Sequence, residues 1–423
     1  MSCIRPFPAL RPKPELAERI CELPYDVMST AEARETARDN PHSFLHVSKP
    51  EIDLDPSVDL YDPRIYARGR ENFQRLIQNG LLIQDNQPCF YLYRQVMGNH
   101  SQVGLVATAS CEDYEKDIIK KHELTRPDKE DDRMRHIEAL NSQTGPVFLI
   151  YRASNAVDAF VSEKTGEEPY INFTAPDGVH HTSWSIDKPS HISLLQSEFE
   201  KIPNLYIADG HHRSAAAVRI WKARQKIRNP KSLSRIRGDE IRNPILSAYF
   251  LVVLFPHNQM QILPYNRAVK NLNGLGMDRF VQRMRELGHF EIRAQPRPSC
   301  KHEICIFLDE VWNVFRWRKE LIAQENEIGQ LDVSLLQKYV LAPLLGIDDP
   351  RTSTRISFIG GIRGTDELET HVRGGDSAIA FSMFPTRIED LIQIADQGGI
   401  MPPKSTWFEP KLRDGMFCHL LAT

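Results

Sequence analysis

Apolar positions recur at helical spacing in several stretches of the chain. Between residues 63 and 79, Ile65, Phe73, Leu76 and Ile77 share one face, and Gly80 follows as a stop. Ser29-Thr30-Ala31-Glu32 has capping-box spacing, and the helix it opens must end before Asn40-Pro41. A polar helix is predicted around 133–140 and another over 333–345. A further one covers 388–395, opened by a second capping box, Thr386-Arg387-Ile388-Glu389, and closed by Gly398-Gly399. Short apolar runs predict strands at 89–93 and 103–108, joined by a hairpin turn at Gly98-Asn99, and at 147–151, 247–255, 304–308 and 378–384. Strands and helices mix without strict βαβ alternation. The pattern predicts an α+β fold with mixed sheets and helices.

Composition narrows this only a little. At 423 residues, 41% hydrophobic and 26% charged, the chain is neither fibrous nor globally disordered. Lys+Arg 53 against Asp+Glu 56 leaves −3, too balanced for the whole molecule to bind nucleic acid through its charge. Seven cysteines without a CxxC pair make no disulfide framework, so a reducing cytoplasm is the simplest compartment. The N-terminus lacks the apolar stretch of a signal peptide, and the run 245–255 is about half the ~20 residues a membrane helix needs. Residues 222–242 are basic and broken by Pro230 and Gly238, which predicts a connection. The expected division is 1–115, 116–225, a basic linker at 226–244, and 245–423.

Candidate chemistry concentrates at 205–217. An apolar strand, 205–208, runs into Asp209-Gly210, which opens an alanine-rich helix. The N–H groups and dipole at a helix start attract anions. Arg213 in the first turn offers a bidentate fork, His211 and His212 add donors, and Gly210 permits close approach to the backbone. The plain alternative is a strand–turn–helix with an Asp cap and two surface histidines. A second cluster, 122–133, contains His122, Glu123, Lys129, Glu130, Asp131, Asp132 and Arg133. It lacks the second histidine of a zinc-protease HExxH. It supplies a carboxylate base, a magnesium ligand and cations for a polyphosphate, or else is a solvated charged loop. Residues 398–405 nearly fit a P-loop, but Pro403 replaces the second glycine and has no N–H to give a phosphate. Lys404, Ser405 and Thr406 are left as an anion contact or a rigid surface turn. Asp26, between Pro24-Tyr25 and Val27, is either a turn residue or a site acid. The basic stretch from Arg219 to Arg242 is a solvated linker or a nucleic-acid contact.

These motifs occur together in one family. Pro24-Tyr25-Asp26-Val27, Asn40-Pro41 with Ser43-Phe44, His122-Glu123 with Thr125, and Lys129-Glu130-Asp131 with Arg133 come in that order. Ala208 to Arg213, Tyr265-Asn266-Arg267, Leu331-Asp332-Val333 and Met401 through Phe408 with Pro410-Lys411 follow. In this the chain resembles, nearly end to end, the bacterial and archaeal family known as domain of unknown function 1015. Some members of that family are described as free-serine kinases, and the 209–213 segment resembles the phosphate loop of the ParB/sulfiredoxin superfamily. The resemblance implies that 116–225 is a ParB/sulfiredoxin-like nucleotide-binding region, with phosphates at Asp209, Gly210, His211, His212 and Arg213. It implies an ATP- or ADP-dependent kinase that uses Mg²⁺ and converts free L-serine to O-phosphoserine. Glu123 is then the preferred base, with His122 and Asp26 as further catalytic candidates. The partners implied are an amino acid and a nucleotide, with no membrane, no expected nucleic acid, and self-association left open. The rival expectation is a ParB-like nucleotide-dependent DNA-binding or regulatory protein, supported by the basic stretch alone.

Overall fold

A computed structural model describes residues 2–227, 246–292 and 295–421. The chain divides into two compact units: Met1–Lys121 with Thr125–Met260 and Pro410–Thr423, and His122–Leu124 with Gln261–Glu409.

The first unit is built on a nine-stranded mixed sheet. Its strands run in the order Ile119–Lys120, Leu205–Asp209, Val147–Tyr151, Tyr249–Pro256, His100–Ser110, Phe90–Met97, His180–Ile186 and Ile171–Thr174, and Ile4–Arg5 adds to the end of His100–Ser110. Phe90–Met97 and His100–Ser110 form the expected hairpin about Gly98-Asn99. The apolar run after residue 245 is a central strand, Tyr249–Pro256, parallel to Val147–Tyr151 and antiparallel to His100–Ser110. Val252, Val253 and Leu254 are fully buried, which explains why the run shows no alternation: both faces are covered. Leu149, Leu205, Ile207, Val252 and Leu254 belong to one core cluster, with Ala217 and Val218 of the helix His211–Ile227 packed into it. The expected boundaries at 115/116 and 244/245 therefore differ from the division seen, because strands from 100–110, 119–120, 147–151, 205–209 and 249–256 share one sheet.

Helix Pro127–Leu140 packs against His211–Ile227 through Ile137, Ala216 and Ile220. It begins six residues before the expected 133, with Pro127 at its first position and Asp128 and Glu130 in its first turn. Those residues favour a helix start, because proline's missing N–H is not needed there and acids face the positive end of the dipole. The charged run is thus a helix rather than a loop.

The second unit holds a six-stranded antiparallel sheet, ordered Gly288–Ile292, Val311–Trp317, Glu303–Leu308, Ile379–Ser382, Tyr265–Val269 and Ile356–Gly360. Its core joins Ala268, Phe307, Trp312, Val314, Ile359 and Leu368. The helix expected over 333–345 is an α-helical turn, Asp332–Leu336, continued by a π-helical segment, Gln337–Leu341.

The first capping box forms as expected. Ser29 Oγ accepts from Glu32 N at 3.2 Å, and Glu32 Oε2 accepts from Ser29 N at 2.7 Å, opening helix Thr30–Ala37. Ser29→Ala is expected to cost about 1 kcal/mol, read as a lower thermal midpoint; an unchanged midpoint would contradict it. The second box does not form. Arg387 stands at the N-cap position of helix Ile388–Asp396 with no side-chain cap bond, and Thr386 Oγ1 donates to Ser405 O at 2.9 Å. The stop is as expected, with Gly398 N bonding Ala395 O and Gly399 N bonding Ile394 O, and Gly398 at φ +70°. No helix among the described residues is long and apolar enough to cross a membrane.

Candidate functional site

The strand Leu205–Asp209 ends beside the start of Val147–Tyr151, with a register shift between Ile207 and Asp209. Gly210 then turns the chain into helix His211–Ile227. Its φ is +95°, which favours glycine, and a Cβ there would stand 3.0 Å from Arg213 Nε, a close contact the guanidinium would have to yield to. Ser214 N closes the first turn onto Gly210 O at 3.0 Å. The N–H groups ahead of it have no intrahelical acceptor and carry the positive end of the dipole.

Arg213 is buried at 8% exposure. Its Nη1 donates to Pro146 O at 2.6 Å and its Nη2 to Asp209 Oδ2 at 2.8 Å. The sequence predicts that this fork faces a ligand. In the fold it braces the strand end against the 145–146 loop, leaving Nε buried with no partner among the described residues. Burial opposes its charge, but Asp209, Asp26, Asp414 and Tyr25 outweigh burial and raise its pKa. Lys411 Nζ stands 3.9 Å from Asp209 Oδ1.

The Pro24–Val27 turn lies against this point. Glu22 and Asp414 exchange backbone hydrogen bonds of 3.1 and 2.9 Å, and the Asp414 carboxyl accepts Tyr25's backbone N–H. Asp414 is fully enclosed, and a Cβ on Gly145 would come within 2.8 Å of its Oδ1. Asp26 is exposed on the turn, and its charge acts on Arg213, Asp414 and His212. His212 Nε2 accepts from Arg126 N at 3.1 Å, and burial holds its pKa below the ordinary value, so the ring is neutral.

A second arginine completes the wall. Arg133 lies 3.8 Å over the Tyr25 ring and grips Asp132 Oδ2 through Nε and Nη2 at 2.9 and 2.7 Å. Asp132 Oδ1 accepts Tyr66 OH at 2.9 Å. His136 bonds Val47 O at 2.8 Å, and burial pushes its pKa down to about 4. Two cavities flank this wall and share Tyr25, Ser48, Arg133 and His136. The one at Arg213, Gly145 and Asp414 has a volume of about 30 Å³. The other, at Lys49, Tyr61, Lys129 and Asp132, has about 90 Å³. That is smaller than the ~150 Å³ that holds a benzene, so it suits a molecule of few heavy atoms.

The fold thus brings Asp26, Lys129, Asp132, Arg133 and Asp209 through Arg213 together in the first unit. Glu130 and Asp131 are engaged by Arg219, at 3.0 and 2.6 Å, and Thr125 Oγ1 also donates to Glu130. Lys129 Nζ reaches Tyr61 OH at 3.3 Å. His122 and Glu123 belong to the second unit, where His122 O accepts Met401 N at 2.8 Å. Lys404, Ser405 and Thr406 are also in that unit. There Lys404 takes φ +59° with its Nζ 5.3 Å from the Tyr265 ring centroid, and Ser405 Oγ donates to Pro402 O at 2.6 Å, locking the turn. Within the basic stretch, Lys222 pairs with Glu115 and Arg224 bonds Asn141 Oδ1 at 2.9 Å, while 228–242 lie outside the described residues. Asp414 and Gly145 escaped the sequence reading. Lys411 was visible only as part of a motif.

Asp414 gives the site a pH signature. Burial pushes its carboxyl up to about 7, against the pull of Arg213 and Arg133. An unfolded aspartate titrates near ~3.9, so the folded chain holds this proton more tightly. The stability it contributes is full below that value and is lost as pH rises through 7. Asp414→Asn lacks this loss, so its stability relative to the parent should improve steadily from pH 4 to pH 7. Thermal unfolding at several pH values checks this, and a constant difference would contradict it.

The family described as protein of unknown function, DUF1015, matches residues 4–334. The chain belongs to the DUF1015 family. No curated protein matches this DUF1015 chain. Solved structures similar to it include SbnI with a C-terminal truncation from Staphylococcus aureus, 12% identical over 73% of this chain and 85% of that one, with a TM-score of 0.36. A free serine kinase in complex with AMP is 12% identical over 72% and 86%, with a TM-score of 0.32. A conserved hypothetical protein from Pyrococcus furiosus is 12% identical over 74% and 93%, with a TM-score of 0.34. The ParB/sulfiredoxin likeness of 209–213 rests on those residues alone.

Proposed function

We propose that this DUF1015 chain is a nucleotide-dependent phosphotransferase acting in the cytoplasm on the hydroxyl of a small molecule, with free L-serine converted to O-phosphoserine. The observation that carries this reading is Asp26, an exposed carboxylate whose charge acts on Arg213 and His212 at the start of helix His211–Ile227. An acid beside a cationic helix N-terminus supplies the two parts that phosphoryl transfer needs: positioned positive potential for the phosphates and a proton acceptor for the hydroxyl. The first-turn N–H groups hold phosphate oxygens of ATP or ADP. Arg213 supplies charge from its braced position. Asp26 takes the hydroxyl proton as the new O–P bond forms and the bond to the nucleotide's leaving phosphate breaks. Asp26 is preferred over Glu123 because it shares a unit with Asp209–Arg213.

Among the described residues no three His, Cys, Asp or Glu side chains gather to hold a metal ion. A magnesium ion, when bound, would be held by nucleotide phosphates, with an exposed carboxylate such as Asp26 within the same unit. Such an ion neutralises charge on the transferring group.

Equilibrium binding tests the reading against its rival. ATP or ADP should bind saturably, and duplex DNA should not bind at physiological salt. Absence of nucleotide binding would overturn it, and tight, steeply salt-dependent DNA binding that requires nucleotide would establish the rival instead.

A further inference from the structure

The second unit contains a buried cation that the proposed reaction does not use. Arg267, on the strand Tyr265–Val269, is 3% exposed. Its Nη1 donates to Tyr265 O, its Nη2 donates to Lys404 O at 3.0 Å, and its guanidinium lies 5.4 Å from the Phe358 ring centroid. All three partners are neutral. Among the described residues no carboxylate pairs with Arg267, and burial pushes its pKa down. Buried charges are ordinarily paired, because an uncompensated one carries a large desolvation penalty. A guanidinium has five N–H donors, and two hydrogen bonds leave part of that set available.

Arg267 lines a cavity of about 310 Å³, together with Gln337, Phe358, Pro402 and Pro403. That volume lies at the lower end of the ~300–1,000 Å³ of small-molecule sites. The nearby acid Asp349 is already held by Arg351, Nε to Oδ1 at 2.9 Å and Nη2 to Oδ2 at 2.8 Å, and Asp348 is exposed. Gln337 adds a second unmet need. Its Nε2 donates to Ile347 O at 2.7 Å and Asp348 O at 3.3 Å, while its Oε1 is buried with no hydrogen-bond partner among the described residues. A buried acceptor in that condition carries a desolvation penalty unless a donor reaches it.

We infer that this cavity binds a small carboxylate bearing a hydrogen-bond donor next to the carboxylate, as in a 2-hydroxy or 2-amino acid, with the carboxylate on Arg267 and the donor on Gln337 Oε1. Phe358, Pro402 and Pro403 take the apolar side of the molecule. The site is separate from the one proposed for phosphoryl transfer and stands or falls without it.

Three probes on the full chain test this: L-lactate, propionate and inorganic phosphate, titrated by ligand-observed NMR. L-Lactate should bind saturably, and propionate, which lacks the hydroxyl, about tenfold more weakly. Arg267→Gln should weaken lactate at least tenfold. Because that residue is buried, Pro403→Trp, which fills the cavity from a half-buried loop position, provides a second test and should do the same. Asp26→Asn should leave lactate binding unchanged, which separates this site from the other unit. Lactate binding unaffected in folded Arg267→Gln or Pro403→Trp, equal binding of propionate, or no binding at all would overturn the inference. Phosphate displacing lactate at lower concentration would overturn the carboxylate assignment.

Discussion

Asp26→Asn is expected to lower kcat by roughly 10²–10⁴-fold, the range for loss of a general base, while nucleotide affinity changes little. The substitution keeps the size of the side chain and removes its charge and its proton affinity. Asp26 is exposed on its turn, so the fold should tolerate the change. Glu123→Gln is the matching comparison, since the sequence alone favours Glu123 as base. If Glu123→Gln loses turnover and Asp26→Asn retains it, the base is Glu123 and the geometric assignment fails.

Arg213→Ala should have the second large effect, on stability as well as turnover. The residue ties Pro146 O to Asp209 and offsets Asp209, Asp26 and Asp414. Breaking a fully buried pair costs about 3–5 kcal/mol, and because Asp209 is 30% exposed the loss here should fall below that range. Turnover should fall on the order of 10²-fold, as for loss of one preorganised donor. Arg213→Lys should not restore either property, because an ammonium cannot serve Pro146 O and Asp209 with the geometry of a planar fork. Chemical denaturation with parallel kinetics checks both parts. A folded Arg213→Ala protein with parental stability and turnover would show that the bracing has no energetic weight.

Much of the secondary structure was legible because it is locally encoded. The Ser29–Glu32 box, the hairpin at Gly98-Asn99 and the Gly398-Gly399 stop each follow from a few neighbouring residues. The 122–133 segment was harder, since five charged residues in a row after Asp128 resemble a loop until Arg219 is seen to neutralise two of them. The second capping box failed for a similar reason: Ser405, nineteen residues on, claims the Thr386 hydroxyl.

The candidate site was legible in its helix start and in Asp26. Its remaining parts come from distant sequence. Asp414 reaches the Pro24–Val27 turn through a backbone pairing with Glu22, and no local pattern marks an aspartate for that role. In the sequence Arg213 reads as a ligand-facing fork because it falls in the first turn of a helix that opens at Asp209-Gly210. Only the fold shows Pro146 and Asp209 occupying it.

The central claim is phosphoryl transfer from a nucleotide to a small alcohol. It is tested most directly by ³¹P NMR of the chain incubated with Mg²⁺ and ATP or ADP, with and without L-serine. The account predicts a phosphate-ester resonance that grows with serine, matches the nucleotide consumed, and is nearly abolished in Asp26→Asn. Unchanged nucleotide, or release of inorganic phosphate alone whatever the amino acid supplied, would contradict it.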